Sequence, residues 1–323
     1  MGKGSRPRIA ITIGDAAGIG PEVVLRSLAE NQTFDSADII VVGDARHLEQ
    51  ASKRFGLEEV LNSGRFSLED LGNLPADIEY GENSAETGRA SGEYIVRAVD
   101  LWREGKVDGI VTAPINKLSL GSGGFQHIGH TEFLAELTGT ERFAMSFFAE
   151  RLRVVLLSTH LPLRDAIERV KRPAIADLVR FVDTTLSGLL RRRVTLAVAG
   201  LNPHAGEGGM FGSEEIEEIS PAIEECRAEG INVSGPFSPD TIFVRCYQGE
   251  FDACIALYHD QATIPVKSLA FSSGVNVTLG LPLVRTSVDH GTAFDIAGKG
   301  IADPSSMKSA IGLAVELCAE RDE

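Results

Sequence analysis

The chain has 323 residues, of which 31 are Lys or Arg and 46 are Asp or Glu, giving a net charge of −15. That excess of negative charge repels polyanions and argues against nucleic acid or an anionic membrane surface as partner. No apolar run approaches the roughly 20 residues a membrane-spanning helix needs, and the opening MGKGSRPRIAITIGD has neither an apolar leader core nor a myristoylation pattern, so a soluble, cytoplasmic protein is expected.

In chain order, RIAITIG reads as a buried strand, followed by the glycine-rich turn GDAAGIG and a helix whose first turn holds Pro21, a favoured helix-start residue. ADIIVVGD is a second strand. The segment ETGRASGEYIVRAVDLWREG has helical periodicity, and VDGIVTAP and LRVVLLSTH are further strands. RPAIADLVRFVDTTLSGLL reads as a helix, RVTLAVAGLNPH as a strand, GSEEIEEISPAIEECRAEG as a helix, and DACIALYHD and GVNVTLG as strands. This alternation predicts an α/β protein with largely parallel sheets buried on both faces. Single cores stop growing near 250 to 300 residues, so two lobes with a cleft between them are expected. No Gly/Ser/Pro-rich linker marks a boundary, which suits a chain that crosses between lobes more than once. Cys226, Cys246, Cys254 and Cys318 are far apart and form no C-x-x-C, so they read as reduced, buried thiols.

Chemistry in such sheets gathers at the carboxyl ends of strands. There the sequence puts His160, His204 and His259, three of its seven histidines. Three imidazoles with an open coordination position suit a catalytic divalent metal. Each alone also reads as a strand-end histidine bonded to a backbone carbonyl, and spacing leaves both readings open. Gly14, Gly18 and Gly20 lie between a strand and a helix, but the pattern is neither G-x-G-x-x-G nor a P-loop, and a tight structural turn explains it. Near the other end, DHGTAFDIAGKGIADPSSM (Asp289 to Met307) is polar and glycine-rich. Such a loop can wrap a nucleotide with backbone amides, Asp295 accepting from ribose hydroxyls, or it can be a long surface connection.

GDAAGIGPE and HGTAFDIAGKGIADP resemble the two signature segments of the isocitrate and isopropylmalate dehydrogenase superfold, which binds NAD without a Rossmann fingerprint. Within that superfold, TAPINK, GHTEFLAELTG, STHLPLRDA, LNPHAGEGGMFGSEE, GPFSPDT, LYHDQ and VNVTLGLPLVRTSVDHGTA resemble the 4-hydroxythreonine-4-phosphate dehydrogenase family and its sugar-acid-phosphate relatives, over about Ile9 to Met307. The resemblance implies an isocitrate/isopropylmalate dehydrogenase-like fold. Its cofactor-side lobe would comprise residues 1–128 plus 285–323, and its metal- and dimer-forming lobe 129–284. It implies that His160, His204 and His259 hold one divalent ion (Zn, Mg or Co), with His259 supplied by the partner of a homodimer. His130 and Thr131 match substrate contacts, and Lys267, Asn276 and Arg285 match the group that holds phosphate and carboxylate. Arg, Lys and Asn offer respectively a planar fork, a mobile point charge and a neutral donor. His290, Gly291, Thr292 and Asp295 are the candidate contacts to NAD, with NADP as the alternative. Asp240 and Asp260, with Lys267, are the candidate proton handlers, structural capping being the competing role for Asp240.

The implied reaction is oxidation of a secondary alcohol by NAD followed by decarboxylation, with 4-phosphohydroxy-L-threonine as substrate. D-Threonate or D-erythronate 4-phosphate is the alternative, and a phosphotransacetylase-like acyltransferase shares the superfold. Ala16 replaces the usual proline of the first turn. Ala262 and the following TIPVK depart from the family's vitamin-B6 pattern and lean towards the tetronate phosphates.

Overall fold

The computed structural model describes residues 6–30, 36–126, 129–269 and 273–319. The chain divides into two compact units, residues 1–143 with 281–323, and residues 144–280. The breaks fall after 143 and 280 rather than after 128 and 284, because the helix carrying His130 and Thr131 packs in the first unit, against the long helix Ala85–Arg103.

The first unit begins with β1 (Arg8–Thr12), α1 (Gly20–Glu30), β2 (Asp38–Gly43), α2 (Ala45–Phe55), α3 (Glu58–Leu61) and β3 (Phe66–Asp70). It continues through α4 (Ala85–Arg103), β4 (Gly109–Thr112), α5 (Lys117–Ser122) and α6 (His130–Thr138), and the chain returns to it for β11 (Val284–Val288) and α12 (Ser305–Ala319). Its strands run in the order β3-β2-β1-β4-β11, every pairing parallel. β1 and β4 are apolar runs whose residues are nearly all buried, as a parallel sheet covered on both faces requires. Helix starts follow local chemistry. Asp44 accepts from the His47 N–H to cap α2, and Ser84 accepts from the Glu86 and Thr87 N–H groups to cap α4.

The second unit holds β5 (Ala144–Ala149), β6 (Leu152–Leu156), α7 (Leu163–Glu168), α8 (Arg172–Leu190), β7 (Leu196–Ala199), α9 (Ser220–Ala228), β8 (Val233–Phe237), α10 (Ile242–Tyr247), β9 (Ala253–Ala256), α11 (His259–Leu269) and β10 (Val275–Leu279). Its strand order is β10-β5-β6-β9-β7-β8. β5 pairs antiparallel with β10 and with β6, whereas β6, β9, β7 and β8 run parallel. α8 buries Ile175, Val179, Val182, Leu186 and Leu189, the three-to-four spacing of an amphipathic helix, and packs on α9. Among the described residues no helix is long and apolar enough to cross a membrane. All four cysteines are free and buried.

Candidate active site

Four neighbouring parallel strands of the second unit, β6-β9-β7-β8, point their carboxyl ends the same way. His160 follows β6, His259 follows β9, His204 follows β7 and Asp240 follows β8, each within five residues of its strand's end. The parallel register therefore collects at one end of the sheet four side chains that sequence scatters over about 100 positions. The His160 and His259 rings are neighbours, with centroids 5.8 Å apart. His259 is not the last residue of a strand, as the apolar run suggested, but the first of α11. Its Nδ1 lies 2.7 Å from Asp260 Oδ1. That contact favours a proton on Nδ1 and leaves Nε2 as the lone-pair nitrogen, as metal-binding imidazoles require.

His204 sits on a turn whose backbone is left-handed, with φ +52° at His204, +52° at Ala205 and +42° at Glu207. Such a run in non-glycine residues persists only when its surroundings impose it. Glu215 does so: its buried carboxylate accepts from the Leu201 N–H at 2.8 Å, the Asn202 N–H at 2.7 Å and the Asn202 amide at 2.9 Å. Gln261 ties the ends of β7 and β9 together, donating to the Gly200 carbonyl and accepting from the Leu257 N–H, both at 2.7 Å. Neither residue was picked out by the sequence reading. Glu215 hides in an acidic run that resembles a solvated helix face.

Among the described residues no three His, Cys, Asp or Glu side chains of one chain converge as a metal site. His160 and His204 are exposed and His259 is half-buried. His204 approaches Phe211, ring centroids 6.4 Å apart, instead of the other two imidazoles. Imidazole and carboxylate donors of this kind suit a divalent cation. Asp240 is exposed and accepts from the Ser238 hydroxyl at 2.6 Å, and it does not cap α10. Lys267 is exposed on α11 and Asn276 is half-buried on β10.

The first unit gathers the other candidates. Arg285 lies on β11 with 3% of its surface exposed, and its Nη2 donates to Thr112 Oγ1 at 2.8 Å. Burial lowers its pKa to about 10, with the Glu132 carboxylate acting in the opposite direction. It remains a cation at neutral pH. His130 starts α6, and its Nε2 is buried without a hydrogen-bond partner. Burial first, then the charges of Arg285 and Lys117, hold its pKa well below the ordinary imidazole value, so it is neutral. Thr131, beside it, is buried.

The loop after β11 is fixed to the opening turn. The Ile19 N–H donates to the Thr292 carbonyl at 3.0 Å, and a Cβ at Gly18 would stand 2.9 Å from the Thr292 Cβ. Glu22 accepts from the Ala302 N–H at 3.0 Å, Arg26 donates to the Gly300 carbonyl at 2.6 Å and Arg54 to the Gly298 carbonyl at 2.7 Å. The opening glycines thus serve close packing, and the DHGTAFDIAGKGIADP segment is a braced loop rather than a loose connection. On it Thr292 is buried, His290 is half-buried with Nδ1 3.1 Å from the Gly291 carbonyl, and Gly291 and Asp295 are exposed.

Residues 35–314 match the family model described as pyridoxal phosphate biosynthetic protein PdxA. The chain belongs to this family. It is 46% identical, over 98% of both chains, to D-threonate 4-phosphate dehydrogenase of Cupriavidus necator. It is 43% identical to 4-hydroxythreonine-4-phosphate dehydrogenase of Desulforapulum autotrophicum, over 96% of this chain and 95% of that one. The crystal structure of 4-hydroxythreonine-4-phosphate dehydrogenase from Klebsiella pneumoniae superposes with a TM-score of 0.87 at 40% identity, covering 97% of this chain and all of that one. The PdxA match agrees with the motif resemblance, which runs through nearly the whole chain.

Proposed function

We propose that this PdxA-family chain is a metal-dependent, NAD-linked dehydrogenase that oxidises the secondary alcohol of a 4-phosphorylated hydroxy acid and releases its carboxylate as CO2. The observation that carries this reading is the placement of His160, His259, His204 and Asp240 at the carboxyl ends of four adjacent parallel strands. D-Threonate 4-phosphate is the first substrate to test, on the 46% identity to the Cupriavidus necator enzyme of that name and on Ala262 and the TIPVK segment. 4-Phosphohydroxy-L-threonine is the second, on the names of the other relatives.

A divalent ion held by His160 and His204 with His259 of a second copy would polarise the substrate oxygens, while bound NAD would accept the hydride. The chain's own residues do the rest. Asp260 holds the His259 tautomer. Glu215 fixes the turn that presents His204. Arg285 supplies a permanent cation for an anionic end of the substrate, and the neutral His130 offers Nε2 as a hydrogen-bond partner. Bound NAD would supply the hydride acceptor, and the alcohol's hydroxyl proton would pass to a base. The β-oxo acid then breaks its C–C bond to CO2, and the residual carbanion takes a proton, for which Lys267 Nζ and the Asp240 and Asp260 carboxylates are the candidate carriers. Exposed Leu161, Leu163, Met210, Phe211 and Ile216 surround the turns that bear His160 and His204, and a homodimer that covers them is consistent with a shared site.

The test is NADH formation by purified protein with D-threonate 4-phosphate, D-erythronate 4-phosphate and 4-phosphohydroxy-L-threonine, before and after chelation and with zinc, magnesium or cobalt restored. Metal-dependent NADH with a tetronate phosphate supports the first substrate, and turnover of only the threonine derivative moves the assignment to the second. Absence of NADH with all three overturns the proposal.

A further inference from the structure

The turn after β4 carries the lysine that ends the TAPINK motif, to which the resemblance gave no role. Lys117 is the first residue of α5 and is exposed. Asn116 fixes the start of that helix by accepting from the Leu118 N–H at 2.9 Å and the Ser119 N–H at 3.0 Å. Behind it lies the buried Asp15, whose N–H donates to the Pro114 carbonyl at 2.9 Å and whose carboxylate faces Thr87, Ser119 and the Asn116 backbone. The turn is therefore held in place by the opening GDAAG segment.

Lys117 lies against the start of α6: its Cε is 4.0 Å from where a Cβ on Gly129 would stand. It forms no ion pair among the described residues, although Lys and Arg elsewhere on this acidic surface commonly do, as in Lys53–Glu49 and Lys308–Glu30. Gly129 offers no side-chain cap, so the first N–H groups of α6 have no capping side chain. The charges that meet here are Arg285, Lys117 and the Glu132 carboxylate, whose Oε2 is 3.3 Å from the same point on Gly129 and whose field acts on Arg285. His130 contributes none. Arg285 with Glu132 leaves the locus neutral, and Lys117 makes it cationic. A phosphate monoester carries about −1.5 to −2 charges at neutral pH.

We propose that Lys117 binds the phosphate of the substrate together with Arg285 and the start of α6, and that its charge decides whether this locus accepts a phosphorylated or an uncharged end. This rests on the proposed function only for the phosphate's being part of a substrate. The exposed, mobile ammonium of Lys117 complements the buried guanidinium of Arg285: one can follow the anion, and the other sets its orientation.

The experiment compares wild type, K117M, K117R and, as a control for net charge, K53M, all as full-length protein. Orthophosphate binding is measured by titration calorimetry, and KM and kcat are measured for whichever phosphorylated acid is turned over. Loss of one charge-assisted contact predicts about a tenfold or greater weakening of phosphate binding in K117M. KM should rise similarly while kcat stays within about threefold, K117R should recover most of the affinity and K53M should match wild type. The proposal is overturned if K117M binds orthophosphate within about twofold of wild type, if K53M weakens it equally, or if wild type binds none. Because the titration needs no turnover, failure of the dehydrogenase reading leaves this result separately readable.

Discussion

The Arg285 locus and the histidine edge solve the placement of functional groups in opposite ways. Arg285 is buried on a strand, with its guanidinium bonded to Thr112 on the neighbouring strand β4, and the adjacent His130 is forced neutral. The desolvation of a cation is offset there by the fold of one unit alone, so function and stability are coupled. The histidines of the second unit stand beyond their strands, His160 and His204 in connecting turns and His259 at the start of α11, mostly exposed, and gain their geometry from neighbours such as Glu215, Gln261 and Asp260. They contribute little to folding. On the proposed function, their desolvation would wait for an ion and a second copy.

The largest effect should fall on the histidine edge. His160→Asn is expected to abolish stoichiometric metal binding, read by elemental analysis, and to lower kcat/KM about 10³-fold or more, while the unfolding midpoint of the metal-free protein stays unchanged. Retention of full metal content would sink the ligand assignment. Arg285→Lys is expected to lower kcat/KM by about 10²- to 10³-fold and also to cost about 1–3 kcal/mol of stability, because an ammonium is more strongly hydrated and cannot reproduce the fork towards Thr112. If this variant is as stable as wild type by urea titration, the claimed coupling of function to fold is wrong. Asp260→Asn leaves the ligands in place but loosens His259, and a 10- to 100-fold drop in metal affinity is expected without loss of stability. Unchanged affinity would mean that the 2.7 Å contact does not orient the ring.

Legibility in the sequence followed burial. RIAIT, DIIVVG, LRVVL and ACIA are continuous apolar runs, and each proved a strand. β11, VRTSV, is just as buried but reads as polar: Arg285 donates through Nη2 to the Thr112 hydroxyl, Thr286 to the Ala310 carbonyl and Ser287 to the Thr112 carbonyl. An apolar-run test cannot see a strand whose buried groups are hydrogen-bonded. β8 was missed for a different reason: VSGPF contains Gly and Pro and lies at the end of its strand order, where proline is tolerated. For the site, strand-end position exposed the three histidines, but their adjacency depends on the order β6-β9-β7, which no local pattern encodes. Lys117 and Glu215 lie within the quoted TAPINK and LNPHAGEGGMFGSEE segments but received no role there, because exposed lysines and acidic runs are ordinary surface features. The family motifs supplied His130 and Arg285, and only packing revealed that one is neutral and the other a buried cation.

The smallest effect tests whether the first unit's coupling of burial to charge extends beyond its anion locus. His47 on α2 is 3% exposed, beside Tyr80 at 6.0 Å between ring centroids. Burial pushes its pKa down to about 4 from an ordinary value of 6.5, against the opposing field of Asp44. Above pH 6.5 folded and unfolded chains both hold it neutral. Between 6.5 and 4 the unfolded chain takes up a proton that the folded one refuses, so stability falls as pH falls, by about 1.4 kcal/mol per unit. Urea unfolding at pH 7 and pH 5.5 should therefore show wild type losing about 1.4 kcal/mol more than His47→Phe over that interval. Its packing cost appears at both pH values and cancels in the difference. Equal pH slopes would show that His47 takes up its proton inside the folded unit, and that this interior tolerates charge more readily than the Arg285 locus requires.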